Sequence, residues 1–155
     1  METTNHECYV SLEVAKLLKD AGFDWKTKCR WDYCKPIDEW SLSNYPEEPI
    51  NWNSKYSNYD CSAPTIEVVQ RWLREVKNTA VYVCPSYEPV RFVAPNVVED
   101  DEEWLMKWQV SAMHYDIEAD EIDLGNVEGE IFDTYEEALE AGIKKILELI
   151  LDKAE

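Results

Sequence analysis

The sequence predicts an α+β fold, an antiparallel sheet of three to four strands packed with about three helices. Three segments carry apolar residues at helical spacing, and the segments between them alternate with a period of two. The order is helix, strand, long loop, helix, strands, helix. With 155 residues, 45% of them hydrophobic, the chain is long enough to bury a core. We expect a single domain, residues 1–155, with a helix-strand-loop half (1–61) and a helix-strands-helix half (62–155).

The first predicted helix begins after Ser11, a suitable N-cap, and ends at Gly22. Its apolar face is formed by Val14, Leu17, Leu18 and Ala21. Residues 27–34 then carry Trp31 and Tyr33 on one face and predict a strand.

The second predicted helix follows the sequence SAPT (62–65). Pro64 disfavours helical backbone at Ala63, and Thr65 is a suitable N-cap. The helix is expected to end near Asn78, and its apolar stripe is formed by Ile66, Val69, Trp72, Leu73 and Val76.

Residues 80–84 and 105–117 predict two further strands, and residues 121–124 a short third one. We expect the prolines between the first two to interrupt the chain. They are Pro85, Pro89 and Pro95.

The third predicted helix begins with a capping box, in which Thr134 precedes Glu137 by three positions. Its buried stripe comprises Ala138, Leu139, Gly142, Ile146, Leu149 and Ile150. From residue 65 to 155 the order α-β-β-β-α is also that of double-stranded RNA-binding domains. In that fold the RNA contacts need basic residues at the start of the last helix, where this chain has Glu136, Glu137 and Glu140. Any likeness is therefore one of shape only.

Five cysteines, an odd number without regular spacing, occur in a chain whose first residues resemble no signal peptide. They are Cys8, Cys29, Cys34, Cys61 and Cys84. We therefore expect a cytoplasmic protein with reduced thiols and without metal or cofactor. If residues 29–34 form a strand, Cys29 and Cys34 lie on opposite faces, which disfavours a shared zinc site.

The chain has a net charge of −18, and most of it lies in residues 99–140. This segment holds 16 acidic residues and a single base, Lys107. The acids of residues 99–103 and 116–121 are a candidate binding face: Glu99, Asp100, Asp101, Glu102, Glu103, Asp116, Glu118, Asp120 and Glu121. Strand alternation would place Asp116, Glu118 and Asp120 on one side as a ridge. Such a face repels nucleic acid and fits a basic protein surface. The alternative is a merely solvated surface.

The acids do not form an EF-hand. Glu121 stands where the loop needs glycine, and Val127 stands where it needs a bidentate acid.

The predicted loop 35–60 is rich in aromatic residues and proline and shows no period. Loops of this length are uncommon in compact domains unless they bind something or are disordered. Its candidate binding residues are Trp40, Tyr45, Trp52, Tyr56 and Tyr59. The rings either fold back over the sheet as a lid or form a contact surface for a protein or a sugar.

Direct DNA binding is also disfavoured by spacing. Residues 11–18 match the first helix of excisionase-like and MerR-like winged helices, and residues 68–76 could mimic their recognition helix. In those proteins a short turn separates the two helices, whereas about 40 residues intervene here.

Catalytic groups are sparse. The chain has two histidines, and its four glycines form no phosphate-binding loop. A dyad of Cys84 and His114 on neighbouring strands is the one conceivable catalytic pair, and it would make the protein a small enzyme acting near the aromatic loop.

Three segments carry a resemblance to a known family: residues 9–25, residues 62–78 (SAPTIEVVQRWLREVKN) and residues 129–150, which include TYEEALEAGI. They resemble a family of small proteins, without an assigned activity, encoded by phages and mobile elements of gut Bacteroides-type bacteria. The resemblance implies a prokaryotic cytosol and a phage or prophage origin. The resemblance implies nothing about mechanism. From the acidic charge of residues 99–140 we expect a non-catalytic accessory protein that binds a basic protein surface and does not bind nucleic acid or membrane.

Overall fold

A computed structural model describes residues 8–44, 48–54, 59–89, 104–115 and 119–153. Within these ranges the α+β fold is confirmed. The elements are α1 (Leu12–Asp20), β1 (Cys29–Cys34), β2 (Glu39–Asn44), β3 (Asp60–Ser62), α2 (Ile66–Val76), β4 (Thr79–Pro89), β5 (Trp104–Tyr115), β6 (Ala119–Glu121) and α3 (Tyr135–Lys153). The strands form two three-stranded antiparallel sheets, ordered β2-β1-β3 and β4-β5-β6, rather than the single predicted sheet.

The first sheet corrects the prediction of a structureless loop over residues 35–60. The chain turns through a short 3₁₀ helix, Lys35–Ile37, and returns as β2 along β1. Asp38 adopts the left-handed conformation at this turn, with φ 51°. Alternation did not predict β2 because this edge strand buries neither face completely. A second 3₁₀ helix, Trp52–Ser54, precedes β3.

The second sheet contains a strand, β4, that is longer than the sequence predicts. The prediction that Pro85 interrupts the strand is wrong, because β4 continues through Pro85 to Pro89. A proline is tolerated there since β4 is an edge strand, which needs no ladder bond on its outer side. Pro95 lies outside the described residues. The structure describes β5 from Trp104 to Tyr115, and the last two residues of the predicted strand, 116 and 117, lie outside the described residues. Strand β6 lies at Ala119–Glu121 and not at residues 121–124. The predicted order α-β-β-β-α from residue 65 onward is present as α2-β4-β5-β6-α3.

The three predicted helix caps are confirmed. The hydroxyls of Ser11, Thr65 and Thr134 accept hydrogen bonds from the backbone N–H groups of Val14 (3.3 Å), Val68 (3.4 Å) and Glu137 (3.1 Å).

The predicted end of the second helix is wrong by about two residues. The helix ends at Val76, and Asn78, with φ 51°, turns the chain into β4. Val76 is 47% exposed and does not belong to the buried stripe, because it occupies the last turn beyond the core.

A single hydrophobic cluster joins all three helices to the second sheet. Trp72 of α2 belongs to this cluster and is 1% exposed. Its ring and that of Phe23 form a T-shaped contact, 5.4 Å between centroids. The division proposed between residues 61 and 62 falls inside β3.

Helix α3 lies against both halves of the chain. Toward α1, the Glu140 carboxylate accepts a hydrogen bond from the Ser11 backbone N–H (2.9 Å), and Lys144 Nζ lies 2.9 Å from the Glu13 carboxylate. Toward the second sheet, a methyl group placed on Gly142 would lie 2.5 Å from Val110 Cγ2 and 3.1 Å from Val81 Cγ1. Glycine therefore sets how closely the helix approaches the sheet. No helix in the described ranges is long and apolar enough to span a membrane.

Candidate functional site

The predicted ridge of acids on one strand is wrong, because the chain reverses between Tyr115 and Ala119. Strand β6 pairs back on β5, with Asp120 opposite His114 and Glu121 opposite Met113. Residues directly opposite in an antiparallel pair share a face. Asp120 therefore lies on the face of His114, and Glu121 lies on the other face. Both acids are exposed.

Most of the remaining predicted acidic face lies outside the described residues: Glu99, Asp100, Asp101, Glu102, Glu103, Asp116 and Glu118. The structure therefore places two of the predicted acids, Asp120 and Glu121, at the free edge of the second sheet.

Two further acids, Asp123 and Glu128, extend the charge at this edge, and the prediction of individual site residues did not include them. Asp123 accepts a hydrogen bond from the Gly125 backbone N–H at 2.8 Å, which fixes the turn after β6. A hydrogen bond with the Asp123 carboxyl raises the pKa of Glu128, partial desolvation raises it further, and the charges of Asp123 and Glu121 add to the effect. We call Asp120, Glu121, Asp123 and Glu128 the β6 acidic cluster. All four are exposed, and none forms an ion pair with a base in the described part of the chain.

The acids near the start of α3 either contact another residue or occupy a position that favours negative charge. Glu136 and Glu137 occupy the first turn, where the helix dipole favours negative charge. Glu140 holds the Ser11 backbone, and Asp133 pairs with Lys107. Among the described acids of residues 119–140, those without such a partner or position are the members of the β6 acidic cluster and Glu130.

A cleft of about 610 Å³ lies between this edge and the last turns of α3. Its helical wall is formed by Ile146, Leu149, Ile150 and Lys153, whose spacing of three and four positions defines one helix face. The opposite wall comprises Thr79 and His114 of the sheet, the run Asp120–Asp123, and Lys77. We call this the β6 cleft. Its volume falls within the roughly 300–1,000 Å³ of ligand pockets, and its mixture of apolar and convergent polar groups is typical of them.

The β6 cleft was not predicted from the sequence. The signal that could have found it is the length of the apolar stripe of α3, whose last members, Leu149 and Ile150, are only half-buried. A helix that extends past the elements it packs on leaves such residues at an open wall.

His114 lies in the cleft without the catalytic partner that the sequence suggested. Cys84 is opposite Gln109 in the ladder, whereas His114 is opposite Thr79. Five positions of strand separate Gln109 from His114, about 16 Å at roughly 3.3 Å per residue, and the odd spacing puts Cys84 and His114 on opposite faces. The Cys84–His114 dyad is therefore wrong. The hydroxyl oxygen of Thr79 lies 3.5 Å from Nδ1 of the His114 imidazole.

The described members of the aromatic group belong to the first sheet and its surroundings. Trp40 lies on β2 opposite Tyr33, and Tyr59 stacks on Tyr33 at 5.5 Å between centroids. Trp52 is buried, and its indole N–H donates to the Thr27 carbonyl at 3.0 Å, whereas Tyr59 is 42% exposed. Tyr45 and Tyr56 lie outside the described residues.

The thiols take the faces that strand alternation predicts. Cys29 is buried and Cys34 is exposed at the other end of β1. Burial raises the pKa of the Cys61 thiol, which lies on β3. Among the described residues, no group of three or more His, Cys, Asp or Glu side chains could hold a metal ion.

Comparison of the chain with protein-family models, curated proteins and solved structures found no match. Interpretation of the site depends on the geometry described above.

Proposed function

We propose that this protein is a non-catalytic binding protein whose β6 acidic cluster contacts a basic surface on another protein. The observation that carries the proposal is the grouping of the four exposed carboxylates at β6 and the turn after it, none of them paired with a base in the described residues. The raised pKa of Glu128, caused by its hydrogen bond with Asp123 and by nearby negative charge, agrees with this crowding. Like charges held together at an edge raise the free energy of the unbound protein. Lysine or arginine side chains of a partner would remove this repulsion, so the cluster favours a cationic partner.

The proposal includes the cellular setting that the sequence suggests, a cytoplasmic accessory protein of phage or mobile-element origin. In its sharpest form the carboxylates would stand where phosphates stand in a nucleic acid, and the protein would occupy the nucleic-acid site of its partner. Nucleic acid itself is excluded as a ligand of the cluster, because phosphates need neutralisation by bases.

The test is affinity capture from a nuclease-treated bacterial lysate with three forms of the protein. They are the wild type, a cluster variant (D120N/E121Q/D123N/E128Q) and a control variant (D20N/D24N/E39Q/E48Q). The control removes the same number of exposed carboxylates, away from β6. We expect wild type and control to retain the same basic proteins at low salt and to release them in about 1 M salt, where screening reaches about 3 Å.

The cluster variant should retain none of these proteins while keeping the thermal transition of a folded protein. Retention of the same proteins by the cluster variant, or retention in molar salt, would contradict the proposal.

A further inference from the structure

The β6 cleft combines an apolar wall with an acidic one. On α3, Leu149 and Ile150 are half-buried and present carbon surface to the cleft beside the buried Ile146. On the other side, Asp120 lies on the sheet face of His114, Ile122 and Asp123 also line the cleft, and Glu121 borders it from the opposite face of β6. An occupant that fits both walls needs apolar groups and positive charges on the same molecule.

The two lysines that line the cleft do not balance its acids. The Lys77 ammonium lies over the ring of the buried Trp72, 5.4 Å from the centroid, and this cation–π contact engages its charge. Lys153 is exposed and has no ion pair in the described residues. One unengaged ammonium therefore lines the cleft together with the acids Asp120 and Asp123, and Glu121 adds negative charge at its border.

We infer that the β6 cleft receives an amphipathic basic segment of the partner protein, with an aliphatic side chain against Leu149 and Ile150 and lysine or arginine side chains against the acids. The inference rests on the proposed function and identifies the kind of partner segment that the acidic cluster recognises. Apolar contact supplies affinity, and charge complementarity supplies orientation and rate of association.

A peptide segment with several basic residues fits the charge distribution better than a small amine does. The negative charge continues outside the cleft to Glu128, which contacts Asp123 but does not line the cleft. A small amine would neutralise one or two carboxylates and leave the others repelling each other. A segment with several basic residues covers the whole β6 acidic cluster.

The experiment measures the affinity of two synthetic helical peptides of equal positive charge by fluorescence anisotropy. One carries leucines on one face, and the other has serine at those positions. We expect the leucine peptide to bind wild type at least about tenfold more tightly, which corresponds to about 1.4 kcal/mol. Leu149→Ser should remove this preference and leave binding of the serine peptide unchanged. The matched control is Leu42→Ser, which makes the same change at a 40% exposed leucine of the first sheet.

A second variant, Lys153→Gln, tests the charge of the occupant at an exposed position where folding is not at risk. Removing this ammonium should tighten binding of the leucine peptide about twofold to fivefold, as an exposed charge contact of up to about 1 kcal/mol implies. Weaker binding would mean that the cleft prefers an anionic group, and it would overturn the inference.

The remaining outcomes separate this inference from the proposed function. If wild type binds both peptides equally and the cluster variant binds neither, the acidic cluster is a binding surface but the cleft is not its apolar subsite. If the leucine preference survives Leu149→Ser, the apolar contact lies elsewhere and the inference is wrong. If the cluster variant binds both peptides as wild type does, the proposed function itself is wrong.

Discussion

Replacement of Gly142 by alanine tests how closely α3 approaches the second sheet. In an open helix this change stabilises by about 1 kcal/mol, because glycine is the weaker helix former. Here the new methyl group would lie 2.5 Å from Val110 Cγ2, and Val110 is itself only 2% exposed. Overpacking of this kind costs roughly 1–3 kcal/mol. We expect a net loss of about 1–2 kcal/mol in the free energy of unfolding, measured by urea denaturation.

A double-mutant cycle identifies the cause. Shortening the opposing side chain with Val110→Ala makes room for the methyl group, so the double variant should be more stable than the sum of the two single changes by about 1 kcal/mol. The control is Val10→Ala, a buried valine before α1 that does not contact Gly142, and this pair should be additive. A stability gain of about 1 kcal/mol in Gly142→Ala alone would refute the close approach.

Three further predictions concern the core, the acidic cluster and the thiols. Leu73→Ala, at a position with 0% exposure, should lower the free energy of unfolding by about 2–5 kcal/mol, and a loss below about 0.5 kcal/mol would place that face in solvent. Folding raises the pKa of Glu128, so proton binding by this carboxylate stabilises the fold at low pH, and the contribution is lost as the pH rises through the folded pKa. The variant E128Q should therefore have a higher melting temperature than wild type at pH 7, and its melting temperature should depend less on pH. All five cysteines should be reduced and free of metal, and stoichiometric zinc in the purified protein would contradict this. In a timed alkylation assay read by mass spectrometry, the exposed Cys84 should react before the buried Cys61.

The parts of the fold that the sequence predicted well are those where local chemistry and burial agree. Ser11, Thr65 and Thr134 cap their helices through side-chain bonds to the next turn, a geometry that depends on neighbours in sequence alone. The buried stripe of α2, with Val69 and Trp72, follows from its period for the same reason.

The predictions that were wrong concern strands whose formation depends on pairing with a neighbouring strand. Residues 39–44 give no pattern because β2 is held by its backbone ladder to β1 while its side chains remain largely exposed. Pro85 is compatible with a strand only because β4 has a free edge, and the sequence does not identify the edge strands.

The acidic site was predicted in part. The excess of acidic residues follows from the composition of residues 99–140. Two of the predicted site residues, Asp120 and Glu121, lie in the β6 acidic cluster. The sequence pattern did not predict that the chain reverses after Tyr115. Asp120 and Glu121 therefore lie on opposite faces of an edge strand and do not form the predicted ridge. The β6 cleft requires the position of α3 relative to β6, which involves residues far apart in sequence.

The hydrogen bond between Ser11 and Glu140 has a consequence for the order in which the molecule can fold. It closes a loop of 129 residues, whose conformational entropy cost is on the order of 4 kcal/mol. Contacts of such high sequence separation form late and slow the folding rate. Helix α1 has nine residues, too few to be stable alone, and its partner surface on α3 is synthesised more than a hundred residues later. A nascent chain that has not yet reached α3 therefore leaves uncovered the part of α1 that packs on α3, and exposed apolar surface of this kind favours aggregation and chaperone binding until α3 is made.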